Sequence, residues 1–163
     1  MTNYFDIPEL NLSKKQREQL VQLYHDNKHL LKANNHSGLN FLIIDTNDTV
    51  LQDLVNIINP EYFERIYFYS SWESVEPHVD KRRATIISIP LINDGTPASF
   101  KNQDVYYSGA VLFNTQKEHW VTNSNKSFRL FVQIELSHNL DIDTCIDLYQ
   151  KGDLLYENNS GDS

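Results

Sequence analysis

The nine residues from Phe128 to Leu136 (FRLFVQIEL) constrain this chain more than any others. In an extended strand successive side chains point to opposite faces. Phe128, Leu130, Val132, Ile134 and Leu136 therefore share one face, and Arg129, Phe131, Gln133 and Glu135 share the other. The first face is wholly apolar. Each of its side chains is worth about 1.5–3 kcal/mol when buried, so a second layer has to cover it. The opposite face sets three polar groups around one aromatic ring, a mixture suited to the lining of a cavity.

The covering layer is found upstream. Residues 13–33 read as a helix: Ser13 with Gln16 three residues on has the form of a capping box, and Leu20, Leu23, Tyr24, Leu30 and Leu31 make a helical stripe. His25 and His29, four apart on it, lie among charged residues and read as a solvated face, without the acidic neighbour of a zinc-protease motif. Residues 34–38 read as a loop and 40–44 as a short strand. Residues 47–59 form a second amphipathic helix, stopped by Pro60. We place both helices against the outside of the sheet that contains 128–136.

From residue 62 the pattern turns to short β-type runs, at 63–70, 75–80, 83–91, 104–107, 109–114, 118–122 and 128–136, with a loop at 93–97. Such a series predicts a sandwich or jelly roll. A short helix is expected within 143–155. The 163 residues, 40% hydrophobic, suffice for one domain, taken as 1–155 with a helical part at 1–60 and a β core at 62–136. Residues 156–163 are expected to be a disordered acidic tail.

The formal net charge of −8 argues against a nucleic-acid partner, because phosphate binding needs clustered Lys and Arg. The one cysteine, Cys145, excludes an internal disulfide framework. No leader pattern opens the chain, and no stretch approaches the ~18 apolar residues of a membrane span. A soluble, cytoplasmic protein is expected. Asp141, Asp143 and Asp147 lack the glycine and spacing of a calcium loop.

Chemistry concentrates at His78-Val79-Asp80. An imidazole and a carboxylate two apart on an extended chain face the same way, and together they are two thirds of the 2-His-1-carboxylate triad that holds non-haem Fe(II) with positions left open. His119 is the candidate third ligand. Arg129 follows ten residues later, across the polar segment 122–126. A hairpin centred on Ser124 would set residues 119 and 129 directly opposite one another, with Cβ atoms about 4.5–5.5 Å apart. A guanidinium beside the metal suits a dicarboxylate cosubstrate, which its rigid fork binds bidentately.

His78-x-Asp80, His119 and then Arg129 in Phe-Arg-Leu resemble the Fe(II)/2-oxoglutarate-dependent dioxygenases. The segment from His119 to Leu130 is similar to the aspartyl/asparaginyl β-hydroxylase branch, which includes bacterial hydroxylases of free amino acids. The resemblance spans about residues 70–136. It implies a mainly β fold with N-terminal helices, a double-stranded β-helix (jelly-roll, cupin-like) with helices outside the larger sheet. It also implies Fe(II), 2-oxoglutarate and O2 as cofactor and cosubstrates, and hydroxylation of an unactivated C–H bond of an amino acid or of an Asp, Asn or Pro side chain in a peptide, with release of succinate and CO2. Arg129 would then pair with the distal carboxylate of 2-oxoglutarate. Arg83 and Tyr69 are further candidates for contacting the oxo acid, and Arg82, Trp72 and Trp120 for contacting substrate. Core packing or a solvated surface is the competing reading for each of these. Two alternatives stay open: a facial-triad metal protein that does not use 2-oxoglutarate, and a non-catalytic β-barrel binding module.

Overall fold

A computed structural model describes residues 2–34, 39–42 and 47–156. In chain order they form β1 (Tyr4–Asp6), α1 (Lys14–Asn27), β2 (Lys32–Asn34), β3 (Leu39–Leu42), α2 (Thr49–Ile57), β4 (Phe63–Ser71), β5 (Val75–His78), β6 (Thr85–Ile92), β7 (Ala98–Phe100), β8 (Gln103–Val105), β9 (Val111–Asn114), β10 (His119–Val121), β11 (Arg129–Leu136) and α3 (Ile142–Gln150).

The two-faced strand is β11, and it takes the middle of a seven-stranded sheet ordered β1-β9-β6-β11-β4-β3-β2. It pairs antiparallel with β4 on one side and β6 on the other. Its outer face, Leu130, Val132, Ile134 and Leu136, is buried in one cluster with Leu20 and Tyr24 of α1, Leu51 and Leu54 of α2, and Ile142 and Cys145 of α3. Helices thus cover the apolar face, as the alternation requires. The inner face looks toward a four-stranded sheet ordered β5-β10-β7-β8. Two small clusters join the sheets. One unites Ile86, Val111 and Phe113 of the large sheet with Ala98, Phe100 and Val105 of the small one; the other unites Tyr69 and Phe131 with Val75 and Val121.

Side chains cap the helices. Ser13 and Gln16 form the reciprocal capping box of α1, Asp48 accepts from the first turn of α2, and Asp141 does so for α3. Several elements differ from expectation. The first helix ends at Asn27 rather than 33: the Asn27 amide bonds back to the Leu23 carbonyl, and the chain tightens into a 3-10 turn over Lys28–Leu30. Leu30 consequently faces solvent, whereas Leu31 still packs on the core. Asn34 closes β2 rather than opening a loop. The last helix stops at Gln150, and Leu154 and Leu155 return to the core after a turn, with Leu155 bridging Ile58. The strands β1, β2 and β7, three residues each, are additions. Residues 35–38 of the expected loop, 43–44 of the expected strand and 157–163 of the expected tail lie outside the described residues. Among the described residues no helix is long and apolar enough to cross a membrane.

Cys145, buried beneath α3, yields a test of this core. Burial pushes its thiol from 9.0 up to about 11. Between those values the native state holds a proton that the unfolded chain has released, so stability falls as pH rises through that window. Urea melts between pH 8 and 11 should show this decline. It should be shallower in Cys145→Ala, which keeps only the contributions of the buried tyrosines. Equal slopes in the two proteins would place the thiol in water.

Candidate active site

The site forms where the small sheet meets the turn after β5. His119 of β10 lies directly opposite His78 of β5 in the antiparallel register, which brings the two imidazoles side by side with ring centroids 4.3 Å apart. Each ring is oriented by the same device: Nδ1 of His78 lies 2.8 Å from the Glu76 carbonyl, and Nδ1 of His119 lies 2.7 Å from the Lys117 carbonyl. A carbonyl can only accept, so Nδ1 carries a proton in both rings and Nε2 faces the cavity, open for ligation whenever the ring is neutral. Nε2 of His78 is 3.3 Å and Nε2 of His119 is 4.0 Å from Oδ1 of Asp80. Their ligand atoms lie within 4.8 Å of one another, the one such group of three among the described residues.

Asp80 sits in a turn that Thr115 holds at both ends. The Asp80 N–H donates to the Thr115 carbonyl, the Thr115 N–H donates to the Ala84 carbonyl, and the Thr115 hydroxyl donates to the Arg83 carbonyl. The second Asp80 oxygen, Oδ2, accepts from Arg83 through Nε at 2.9 Å and Nη2 at 2.7 Å, while Nη1 of Arg83 donates to the Tyr67 hydroxyl. Burial works to raise the Asp80 pKa, but the hydrogen bond from His78 and the charge of Arg83 outweigh it and hold the group below the ordinary carboxylate range. The same hydrogen bond, donated by the His78 Nε2–H, raises His78 and favours its charged form, so a metal bound there would displace that proton. Burial lowers His119, which favours the neutral imidazole that a metal ligand has to be.

Arg129 reaches the same cavity from the other sheet. It does not oppose His119 across a hairpin, as the spacing suggested. Its strand partner is Ser71 of β4, whereas His119 pairs with His78 and Phe100. The polar segment between them is a crossover from the small sheet to the large one. The Asn123 side chain accepts from the Ser127 N–H and donates to its carbonyl, and Lys126 adopts φ 51° to complete the turn. The two residues therefore line one cavity from different sheets rather than opposing each other along one. Arg129 is 2% exposed, and its guanidinium lies over the Phe131 ring at 4.8 Å. Its Nε and Nη1 have no hydrogen-bond partner among the described residues. The Tyr69 hydroxyl takes a hydrogen bond from the guanidinium, but a buried cation with two open donors is costly, and it is the feature of this cavity that calls for an anion.

The cavity has a volume of about 70 Å³ and is lined by all four of these residues, with Arg83, Tyr69, Tyr107, Trp120, Phe131 and Gln133 among the others. Tyr69 borders it with its phenol pushed up to about 12 by burial, against the pull of the Arg129 charge, so it stays a neutral hydroxyl. Arg83 borders it too, but its donors are turned to Asp80 and Tyr67 rather than to the space a cosubstrate would fill. Arg82 is exposed and outside the lining. Trp72 is 56% exposed and stacks on Phe128 at 4.7 Å, again outside the lining. The alternation of faces accounts for this, since Phe128 belongs to the outer side of the sheet. Thr115 is a structural partner of the site that the sequence did not single out. Tyr67 shares a strand face with Tyr69, as the alternation of residues 63–70 predicts, and its hydroxyl accepts from Arg83.

The donor set fits a divalent cation: two imidazole Nε2 atoms and one carboxylate oxygen converge from one side, and their remaining polar atoms are already satisfied by backbone or by Arg83. The open donors of Arg129 suit a carboxylate.

No protein-family model matches the sequence, and no curated protein matches it significantly. Solved structures do match. A prolyl-4-hydroxylase of Pseudomonas putida aligns at TM-score 0.62 and 14% identity, over 85% of this chain and 94% of that one. A prolyl hydroxylase of Trichoplax adhaerens, in complex with a hypoxia-inducible-factor peptide fragment, aligns at TM-score 0.59 and 11% identity, over 88% and 86%. The collagen prolyl hydroxylase of Paramecium bursaria Chlorella virus-1, in complex with 2OG, aligns at TM-score 0.54 and 13% identity, over 83% and 95%. The chain therefore has the double-stranded β-helix fold of these oxygenases, with its two sheets closing on one cavity.

Proposed function

We propose that this protein is an Fe(II)/2-oxoglutarate-dependent oxygenase that hydroxylates an amino acid, free or as a residue of a peptide. The observation that carries the reading is the meeting, in one cavity, of a facial set of His78, Asp80 and His119 with the buried guanidinium of Arg129 and its two open donors. Nε2 of His78, Oδ1 of Asp80 and Nε2 of His119 would hold the iron. Bound there, the iron would supply the oxidative chemistry that couples breakdown of the oxo acid with O2, giving succinate and CO2, to hydroxylation of a C–H bond.

The residues of the chain supply the rest. The two Nδ1–H groups keep both imidazoles in the ligating tautomer. Arg129 binds the distal carboxylate and so selects a five-carbon dicarboxylate over a monocarboxylic oxo acid, which would leave the guanidinium unmatched. Val75, Val121 and Phe131 wall off water, which strengthens the pairing with Arg129. The order of residues from His119 to Leu130 favours the aspartyl/asparaginyl β-hydroxylase branch, whereas the aligned structures are prolyl hydroxylases. Proline, aspartate and asparagine, free and within short peptides, are accordingly the substrates to assay first.

The test is succinate formation by purified protein supplied with Fe(II), 2-oxoglutarate, O2 and that substrate panel, extended to all twenty amino acids. Anaerobic addition of 2-oxoglutarate to the Fe(II) form should produce a visible charge-transfer band. Absence of both the band and the succinate would sink the reading.

A further inference from the structure

We infer that Arg83 and Tyr67 form a positioning pair that fixes Asp80 as a one-oxygen ligand. The inference rests on the metal-site reading above, and it concerns atoms that do not touch the cation.

Two N–H groups of Arg83 converge on Oδ2 of Asp80, so Oδ1 is the oxygen turned to the two imidazoles. The guanidinium is itself fixed. Its third donor is on the Tyr67 hydroxyl, and its Cζ lies 5.9 Å from the Phe41 ring centroid and 6.0 Å from that of Tyr67. The Tyr67 ring is in turn held edge-on by Phe41 at 5.4 Å and is 5% exposed. Thr115 secures the backbone on both sides, at the Asp80 N–H and the Arg83 carbonyl. Every rotatable part of the carboxylate support thus has a partner. A planar fork that grips one oxygen and a phenol together is a geometry lysine cannot reproduce, since it offers a point charge.

The consequence is coordination number. A free carboxylate beside a cation can turn to chelate it through both oxygens, and the second oxygen would take a position that the oxo acid or O2 requires. With Oδ2 tied to Arg83, the carboxylate would offer a cation one oxygen only.

Charge alone makes the contrary prediction. Arg83 is a cation next to a cation site, so if its field were all that mattered, removing it would tighten metal binding. If it positions Asp80, removing it leaves the carboxylate free among several rotamers, and the cost of ordering it at the cation, through one oxygen or two, loosens binding.

Co(II) is the probe, titrated into metal-free wild-type, Arg83→Gln, Arg83→Lys and Tyr67→Phe proteins, with the metal-free melting temperature of each recorded. Loss of a partner that orients a ligand typically costs 10–100-fold in metal affinity. The expected result is a loss of about that size in Arg83→Gln, partial rescue in Arg83→Lys, and a smaller loss of the same sign in Tyr67→Phe with its melting temperature retained. 2-Oxoglutarate affinity of the Co(II)-loaded Arg83→Gln protein should fall as well, because the carboxylate intrudes on the open side. Co(II) binding by Arg83→Gln that equals or exceeds wild type overturns the inference. Should Arg83→Gln fail to fold, unchanged Co(II) affinity in Tyr67→Phe overturns it instead. Wild-type protein that binds no Co(II) overturns the metal-site reading and this inference with it, whereas wild-type binding with undiminished variants overturns the inference alone.

Discussion

Replacing Arg129 with methionine should abolish 2-oxoglutarate-dependent succinate formation while leaving the metal-free fold at least as stable as wild type. The two halves of this expectation have one cause. Arg129 is a cation buried to 2% exposure with Nε and Nη1 unmatched among the described residues. Its guanidinium lies over the Phe131 ring, so a methionine of similar length can set its thioether against that ring while removing the desolvated charge. Exchanging buried charges for apolar residues of similar volume is often neutral or stabilising by about 1–4 kcal/mol. Binding goes the other way. Truncating one side of a buried, hydrogen-bonded charge pair costs about 2–5 kcal/mol, a loss of roughly thirty- to several-thousand-fold in affinity. Urea melts of the metal-free proteins and anaerobic 2-oxoglutarate titrations of the Fe(II) forms measure the two halves. A substantial loss of stability would make Arg129 a structural residue. Retained oxo-acid affinity would mean that the anion binds elsewhere. Metal affinity serves as the control and should not fall, since Arg129 contacts none of the three proposed ligands and its charge opposes a cation in the same cavity.

That Arg129 stands out at all in the sequence follows from the strand that carries it. Residues 128–136 alternate so strictly that the inner and outer faces of β11 can be assigned by parity, and the need for helices over Leu130, Val132, Ile134 and Leu136 comes with that assignment. Position along a face is legible in this way, but the partner strand is not. The segment 122–127 has the composition of a hairpin turn, and composition does not distinguish a return along the same sheet from a step across to the other. The distinction is made by Asn123, whose side chain bonds both the N–H and the carbonyl of Ser127, and by the sheet pairings of β10 and β11. The same limit explains the short strands. Three residues such as Tyr4–Asp6 or Ala98–Phe100 contain too little alternation to register, and their neighbours supply the hydrogen-bonding edge. Arg83 was legible as a basic residue near the HxD pair. Its orientation was not, because sequence spacing says nothing about the turn that Thr115 closes between Asp80 and Ala84.

Asp80→Ala should show the opposite balance to the arginine substitution, losing metal and stability together. Asp80 supplies one of three proposed ligands, and two imidazoles without it form an incomplete site. Its removal also leaves Arg83, whose side chain is 18% exposed, with the Tyr67 hydroxyl but without its counter-ion. Breaking a buried ion pair on one side costs about 3–5 kcal/mol; the partial exposure of Arg83 and the remaining phenol place this case near the lower end. Removing both charges in Asp80→Ala/Arg83→Met should recover most of that stability, because no unmatched ion is left. It should not recover Co(II) binding. The double-mutant comparison therefore separates the two roles of the carboxylate, as counter-ion in the metal-free protein and as ligand in the loaded one. If the double variant stayed as unstable as Asp80→Ala, the instability would come from the backbone turn held by Thr115. Co(II) binding at wild-type strength in either variant would remove Asp80 from the metal site and leave the two histidines without their carboxylate.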